Sequence, residues 1–227
     1  MRDKIIVVTG GFGVLGHAIA EAALAAGAYV ALPGREEKSS LPARDRLLTM
    51  MSIDLTDFEA VRQAFEVVMK RFGRIDGLAN VAGGFRWQTL ADGELSTWQD
   101  QFSMNLMTAV TVTKAALPHL RASQGAIVNI GSAPALKAGA GMGAYAASKA
   151  GVLRLTESLS EEEKNSGVRV NAVLPTIIDT PRNRADMPKA DHSKWVKPED
   201  IAKTILFLLS DEAKAITGAQ ILVAGRT

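Results

Sequence analysis

The fold turns on Lys4-Ile5-Ile6-Val7-Val8-Thr9-Gly10-Gly11-Phe12-Gly13-Val14-Leu15-Gly16. Lys4 to Val8 is a short, continuous apolar run, the pattern of a strand buried on both faces of a parallel sheet. Glycines at 10, 13 and 16 follow it, and Val14 to Ala26 then reads as a helix stopped by Gly27. Ala28-Tyr29-Val30-Ala31-Leu32 is a second strand, closed by Pro33-Gly34. Together these form a βαβ unit whose first turn is rich in glycine. Glycine tolerates the tight turn and lets the backbone approach a pyrophosphate, which then rests on the helix N-terminus. Taken without its flanks, the same spacing describes an ordinary strand-to-helix turn.

The alternation continues along the chain. Leu47 to Asp54, Ile75 to Asn80, Ala126 to Gly131, Val168 to Leu174 and Thr217 to Val223 read as strands. Helices are expected over Thr56 to Phe72, from a cap at Ser96 or Thr97 to about Leu120, over about 144–164, and from Pro198 to Leu209. The chain has 227 residues, 47% apolar and 22% charged, which suits one α/β domain over 1–227. A net charge of +2 gives nucleic-acid binding no support. The absence of cysteine excludes disulfides, thiolate nucleophiles and Cys-bound metals. No apolar run has the length of a membrane span, and Met1 to Val8 is too short for a signal peptide. The expectation is a soluble, cytoplasmic protein with no membrane partner.

Chemistry concentrates further on. Tyr145-Ala146-Ala147-Ser148-Lys149 lies in an Ala-rich helical run, and a spacing of four puts Tyr145 and Lys149 on one face. An ammonium beside a phenol lowers the phenol's pKa and suits it to proton transfer. An ordinary amphipathic pair has the same spacing. At the end of the second strand an acidic residue would bind a ribose 2′-hydroxyl. The chain has Arg35 there instead, which can clamp a 2′-phosphate or simply pair with Glu36 or Glu37. The loop from Phe85 to Gly93 leaves a strand's carboxyl end, where ligands bind in such sheets. Phe85 and Trp87 in it form one wall of a substrate pocket, or pack locally. Pro181 to Lys197 is polar and irregular, with five Lys/Arg against two Asp, a basic excess that suits an anionic substrate or a solvated loop equally. Glu161-Glu162-Glu163 reads as a solvated helix face.

Taken in order, the glycine turn, Asn105, Ser132 and the Tyr145 to Lys149 pentapeptide resemble the short-chain dehydrogenase/reductase family over almost the whole chain. The resemblance implies a single-domain, doubly wound Rossmann fold with a seven-stranded parallel sheet in the order 3-2-1-4-5-6-7. It implies a catalytic set of Asn105, Ser132, Tyr145 and Lys149, with Asn105 holding a water that links Lys149 to solvent. It places the cofactor on Gly10, Gly13, Val14, Leu15, Gly16, Arg35, Asp54, Leu55, Asn80, Ala82, Gly83, Tyr145, Lys149, Pro175, Ile178 and Thr180. It places a small carbonyl substrate near Phe85, Trp87, Ser132, Met142 and Tyr145, under a lid at about 181–197. The cofactor expected from Arg35 is NADP(H), with NAD as the alternative, and the long helices suggest a homotetramer or homodimer. No metal is expected.

Departures from the family pattern matter. Most members space the turn as TGxxxGxG, whereas here Gly10, Gly13 and Gly16 give the spacing of the extended branch and of dihydropteridine reductases. Val81 replaces the second Asn of Asn-Asn-Ala-Gly, and Thr176 the Gly of Pro-Gly. The segment from Leu174 to Arg184 and Ala82-Gly83-Gly84-Phe85 also look like dihydropteridine reductases. Those enzymes generally carry an acid after the second strand and often lack the Ser and Asn found here. A dihydropteridine- or quinone-type reductase is therefore the rival enzyme, and an NADP-binding regulator the rival outside catalysis.

Overall fold

Every residue of the first strand, β1 (Ile5–Val8), is buried, which requires cover on both faces. The computed structural model describes residues 1–37 and 42–227. After β1 come α1 (Val14–Ala25), β2 (Tyr29–Pro33), β3 (Leu47–Met50), α2 (Phe58–Phe72), β4 (Gly77–Asn80), α3 (Leu95–Phe102), α4 (Thr108–Ser123) and β5 (Ala126–Ile130). The chain continues through α5 (Gly143–Glu162), β6 (Arg169–Pro175), α6 (Pro181–Asp186), α7 (Pro198–Leu209) and β7 (Gln220–Val223). The strands form one parallel sheet in the order β3-β2-β1-β4-β5-β6-β7. Helices α1 and α7 cover one face, through Ile19, Ala23, Ile201 and Ile205 packed on Ile6, Val8 and Val128. Helices α2 and α4 cover the other, through Phe65, Val68, Val112 and Leu120 on Val7, Leu78 and Ile127.

The strand order reverses between β1 and β4, which opens a crevice at the carboxyl ends. Next to it, a polar seam crosses the centre of the sheet. Asn80 and Asn129 are register partners on β4 and β5. Asn80 Nδ2 donates to Asn129 Oδ1 and to Thr113 Oγ1 of α4, each at 2.9 Å. Asn129 Nδ2 donates in turn to Thr156 Oγ1 of α5, also at 2.9 Å. Asn80, assigned by resemblance to the cofactor, thus has its amide nitrogen committed to the core.

Several boundaries differ from the sequence reading for identifiable reasons. The third strand ends at Met50, because residues 51–57 turn through Ser52 at φ 56°. Helix α2 starts at Phe58, capped by Asp57, whose carboxylate accepts from the amides of Glu59 and Ala60. Ser96 and Thr97 do not cap α3; both lie inside it, and the N-cap is Glu94. The long helix expected up to Leu120 is interrupted by a π-helical turn, Ser103–Met107. Glu163 is buried rather than solvated, 1% exposed, and takes two hydrogen bonds from Arg121 of α4 at 2.9 and 2.5 Å. Its backbone position at the end of α5 turns it under α4, where an unpaired carboxylate would be costly.

Candidate active site

Strand β5 delivers Ser132 to the crevice, 5% exposed, two residues past its last paired position. Across from it, the first turns of α5 present Tyr145 and Lys149 on one face. The Ser132 hydroxyl lies near enough to the Tyr145 phenol to draw its pKa down. Phe85 packs its ring against the Tyr145 ring edge-on, centroids 4.9 Å apart at 84°. Lys149 is buried, and its Nζ donates to the Ile130 carbonyl oxygen at 2.8 Å. Burial alone pushes this ammonium down to about 8. Burial pushes the phenol of Tyr145 up, and the nearby Ser132 hydroxyl pulls against that shift. The expected lowering of the Tyr145 pKa by Lys149 is not seen: burial raises it, the opposing pull comes from Ser132, and the Lys149 hydrogen bond is to the backbone of β5.

Asn105 sits in the π-helical turn, 1% exposed. A π turn inserts one residue into the helical ladder and recurs at functional sites. Asn105 Oδ1 accepts from the Gly84 amide at 2.9 Å. Its Nδ2 shares its two hydrogens among the Gly84 carbonyl, Gln101 Oε1 and Ser148 Oγ, at 3.1, 3.1 and 3.0 Å. The Ser148 hydroxyl donates onward to the Tyr145 carbonyl at 2.7 Å. Asn105 is therefore the hub that joins the loop after β4 to the tyrosine helix. Gln101 and Ser148 were not among the expected site residues, although each stood one helical turn from one that was.

At the other half of the crevice, the glycine turn holds close backbone contacts. Gly10 has φ 63°, and a Cβ there would lie 2.9 Å from the Ala82 backbone. A Cβ on Gly16 would overlap the Gly10 carbonyl. The helix α1 that follows has Gly13 as N-cap, with no side-chain cap and no acidic residue in its first turn. Its leading amides, at Val14, Leu15 and Gly16, thus keep the positive end of the helix for an anion. Thr9, also outside the expected set, clasps the two halves: its hydroxyl oxygen accepts from the amides of Val81 and Ala82 at 2.9 and 3.1 Å. Gly83 lies beside both Asn105 and Lys149. A dinucleotide fits this donor set.

Comparison with known proteins agrees with the geometry. The family model described as enoyl-(acyl carrier protein) reductase matches residues 13–225. A 3-oxoacyl-[acyl-carrier-protein] reductase, FabG, of Thermotoga maritima is 34% identical over 182 residues, 76% of this chain and 74% of that protein. The chain belongs to the short-chain dehydrogenase/reductase family. Among solved structures, a short-chain dehydrogenase/reductase of Brucella melitensis superposes with a TM-score of 0.92 at 30% identity, over 99% of this chain and 96% of that one. ElxO with NADP bound gives 0.90 at 27%, over 99% and 98%. A Brucella melitensis 3-ketoacyl-(acyl-carrier-protein) reductase complexed with NADH gives 0.88 at 25%, over 99% and 98%.

In this short-chain dehydrogenase/reductase the remaining expected residues divide. Trp87 Nε1 donates to the Ala140 carbonyl at 2.9 Å, and the Gln88 amide to the Gly141 carbonyl at 2.8 Å. These bonds pin the loop after β4 to the approach to α5, near Met142. Leu55 is buried in the core beneath α2, and Pro175 is the buried last residue of β6. Ile178 forms a parallel bridge with Val196, and its carbonyl accepts from Asn183 Nδ2 at 2.8 Å. Thr180 caps α6 by accepting from the Asn183 amide at 3.1 Å. The stretch from 181 to 197 is more ordered than its composition suggested, holding α6 and a 3₁₀ turn at His192–Lys194, with Trp195 buried. Its basic excess is partly neutralised from outside: Arg184 makes two bonds to Asp179 at 2.6 and 2.8 Å, while Arg182 pairs with Asp186 and Lys194 with Asp191 inside the segment. The attraction for an anionic substrate inferred from those charges is reduced by that one pairing.

Gly16→Ala tests the glycine turn. The new methyl group meets backbone rather than a movable side chain, so the turn must open. The expected result is nicotinamide-cofactor binding weakened about tenfold or more, with a stability loss of about 1–3 kcal/mol, read by fluorescence titration and thermal unfolding.

No helix among the described residues is long and apolar enough to cross a membrane, and no group of metal-binding side chains occurs among them.

Proposed function

We propose that this chain is an NADP(H)-dependent oxidoreductase acting on a carbonyl or alcohol of a small substrate, with Tyr145 as general acid and base. The observation that supports it most is the convergence of the Ser132 hydroxyl and the Tyr145 phenol at the carboxyl end of β5, with Lys149 buried behind them. A bound nicotinamide supplies or takes the hydride. In the reducing direction Tyr145 donates its proton to the substrate oxygen. Ser132 hydrogen-bonds the same oxygen and offsets its developing charge. Lys149 holds the cofactor ribose and, through a water kept by Asn105, returns a proton toward Tyr145. Val14, Leu15 and Gly16 hold the phosphates, and Ile178 and Thr180 bound the nicotinamide side. Phe85, Trp87 and Met142 wall the substrate. In this reading residues 1–227 make one dinucleotide-binding domain, 181–197 act as its lid, and the protein works in the cytoplasm as a homotetramer or homodimer.

Arg35 is the basis for preferring NADP(H). Arg35→Met is expected to weaken NADPH binding about tenfold, the scale of one charge-assisted phosphate contact, while NADH binding changes little. Equal losses for both cofactors would contradict the assignment.

A second reading has one observation in its favour. Phe85 packs on Tyr145, and Phe85 and Trp87 are both exposed aromatics on the same loop, a surface suited to a flat ring. A dihydropteridine- or quinone-type reductase would take hydride directly into such a ring and need little from Ser132. The deciding experiment follows NADPH and NADH oxidation with ketones, β-ketoacyl thioesters, quinones and quinonoid dihydropterin, for the wild type and Ser132→Ala. Carbonyl turnover that collapses in the variant supports the first reading. Turnover confined to pterin or quinone, indifferent to the variant, supports the second.

A further inference from the structure

Arg35 and Asp54, both assigned to the cofactor by the sequence reading, are partners of each other. Backbone pairing runs on past the ends of β2 and β3. The Gly34 amide donates to the Met50 carbonyl at 3.0 Å, that of Ile53 to Gly34 at 2.8 Å and that of Ser52 to Glu36 at 3.1 Å. Residues 34–36 and 52–53 therefore lie side by side, and Arg35 and Asp54 emerge from them together. Arg35 Nη2 donates to Asp54 Oδ1 at 2.6 Å. The same oxygen accepts from the Thr56 amide at 2.9 Å and the Thr56 hydroxyl at 2.7 Å. The Thr56 turn thus anchors the carboxylate independently of Arg35. Both side chains are more than half exposed, 61% and 51%, so the pair adds little to stability. Its effect falls on whatever charge approaches Arg35.

We propose that Asp54 sets how strongly this chain discriminates between 2′-phosphorylated and unphosphorylated adenine nucleotides, by sharing the charge of Arg35. The inference rests on the reading of Arg35 as the 2′-phosphate contact. A phosphate dianion is drawn by net positive charge, and an Arg–Asp pair has none. A ribose 2′-hydroxyl is neutral, and a carboxylate can accept its hydrogen bond. Asp54 therefore weakens binding of the phosphorylated form and leaves room for the other. Arg35 and Thr56 hold the Asp54 carboxyl down at about 2, so it stays ionised at any working pH and only substitution removes its charge.

The test is calorimetric titration of adenosine 2′,5′-bisphosphate and of adenosine 5′-monophosphate into the wild type, Asp54→Asn, Arg35→Met and the double variant. Asparagine keeps an acceptor for Thr56 while removing the charge. In Asp54→Asn the bisphosphate is expected to bind about five- to tenfold tighter, with the monophosphate within about twofold, as for one nearby charge in a partly exposed site. Added to Arg35→Met, the Asp54 substitution is expected to change nothing further, the signature of coupled residues. Unchanged or weaker bisphosphate binding in Asp54→Asn overturns the proposal. So does a gain that persists without Arg35. If Arg35→Met leaves the ratio of the two affinities untouched, the Arg35 reading itself falls.

Discussion

Tyr145→Phe is expected to lower kcat by on the order of a hundredfold or more, the usual size of a general-acid contribution, while cofactor binding and thermal stability stay near wild type. Phenylalanine retains the ring, so the edge-on contact with Phe85 survives and the helix start is undisturbed. Only the hydroxyl facing Ser132 is removed. The direction of the Tyr145 shift adds a second, independent signature. A phenol pushed up by burial stays protonated at neutral pH, ready to donate. Reduction should therefore hold steady through neutral pH and fall in alkali, whereas oxidation, which needs the phenolate, should climb with pH. Steady-state rates in both directions across pH, for both proteins, check this. Near-normal turnover by the phenylalanine variant would falsify the proton-transfer role outright.

Lys149→Met is expected to abolish turnover to a similar degree, and to reveal the cost of burying the ammonium. In an unfolded chain Lys149 keeps its proton up to its ordinary value of 10.5, whereas in the folded protein it releases it at about 8. Between those values the unfolded state binds more protons, so stability rises with pH across that window. Below pH 8 the penalty is fully present, about 3 kcal/mol for a shift of this size. Methionine keeps the aliphatic stem but leaves the Ile130 carbonyl without its donor, a loss of about 1–3 kcal/mol. At pH 7 the two terms nearly offset each other. The informative quantity is the difference between the two proteins: the wild type should gain about 3 kcal/mol on the variant between pH 8 and 10.5. Urea unfolding at both ends of the window measures it, and a flat difference would show that Nζ is better solvated than its burial implies.

The parts of this fold that were legible in the sequence are those set by local pattern. The buried strand Ile5–Val8, the glycine turn and the Pro-led helix α7 follow from apolar runs, glycine spacing and helix-start chemistry within a few residues of each other. Tyr145 and Lys149 share a face because four residues make about one helical turn. What was missed depends on partners far away in sequence. Glu163 looks like one of three solvated glutamates until Arg121 arrives from α4. Arg35 looks ready for a phosphate or a neighbouring glutamate until the pairing of β2 with β3 brings up Asp54. The π turn around Asn105 has no signature in the residues Ser103 to Met107 themselves; its cause is the hydrogen-bonded hub with Gly84, Gln101 and Ser148. The charges of 181–197 were counted correctly, but their pairing with Asp179, Asp186 and Asp191 required the folded geometry.

The seam of Asn80, Asn129, Thr113 and Thr156 acts as a key that only one alignment of β4 and β5 can turn. Both strands are short and otherwise apolar, so hydrophobic contact alone would tolerate a two-residue slip, which keeps each side chain on its own face. Slipped in that way, Asn80 would stand opposite Ile127 or Gly131, and the Asn129 amide oxygen would lose its donor in the core, at a cost of about 1–3 kcal/mol. The seam thus excludes the wrong sheet more than it strengthens the right one. The sheet that remains is the one that brings Gly83 beside Lys149, and the loops of the two halves into a single crevice.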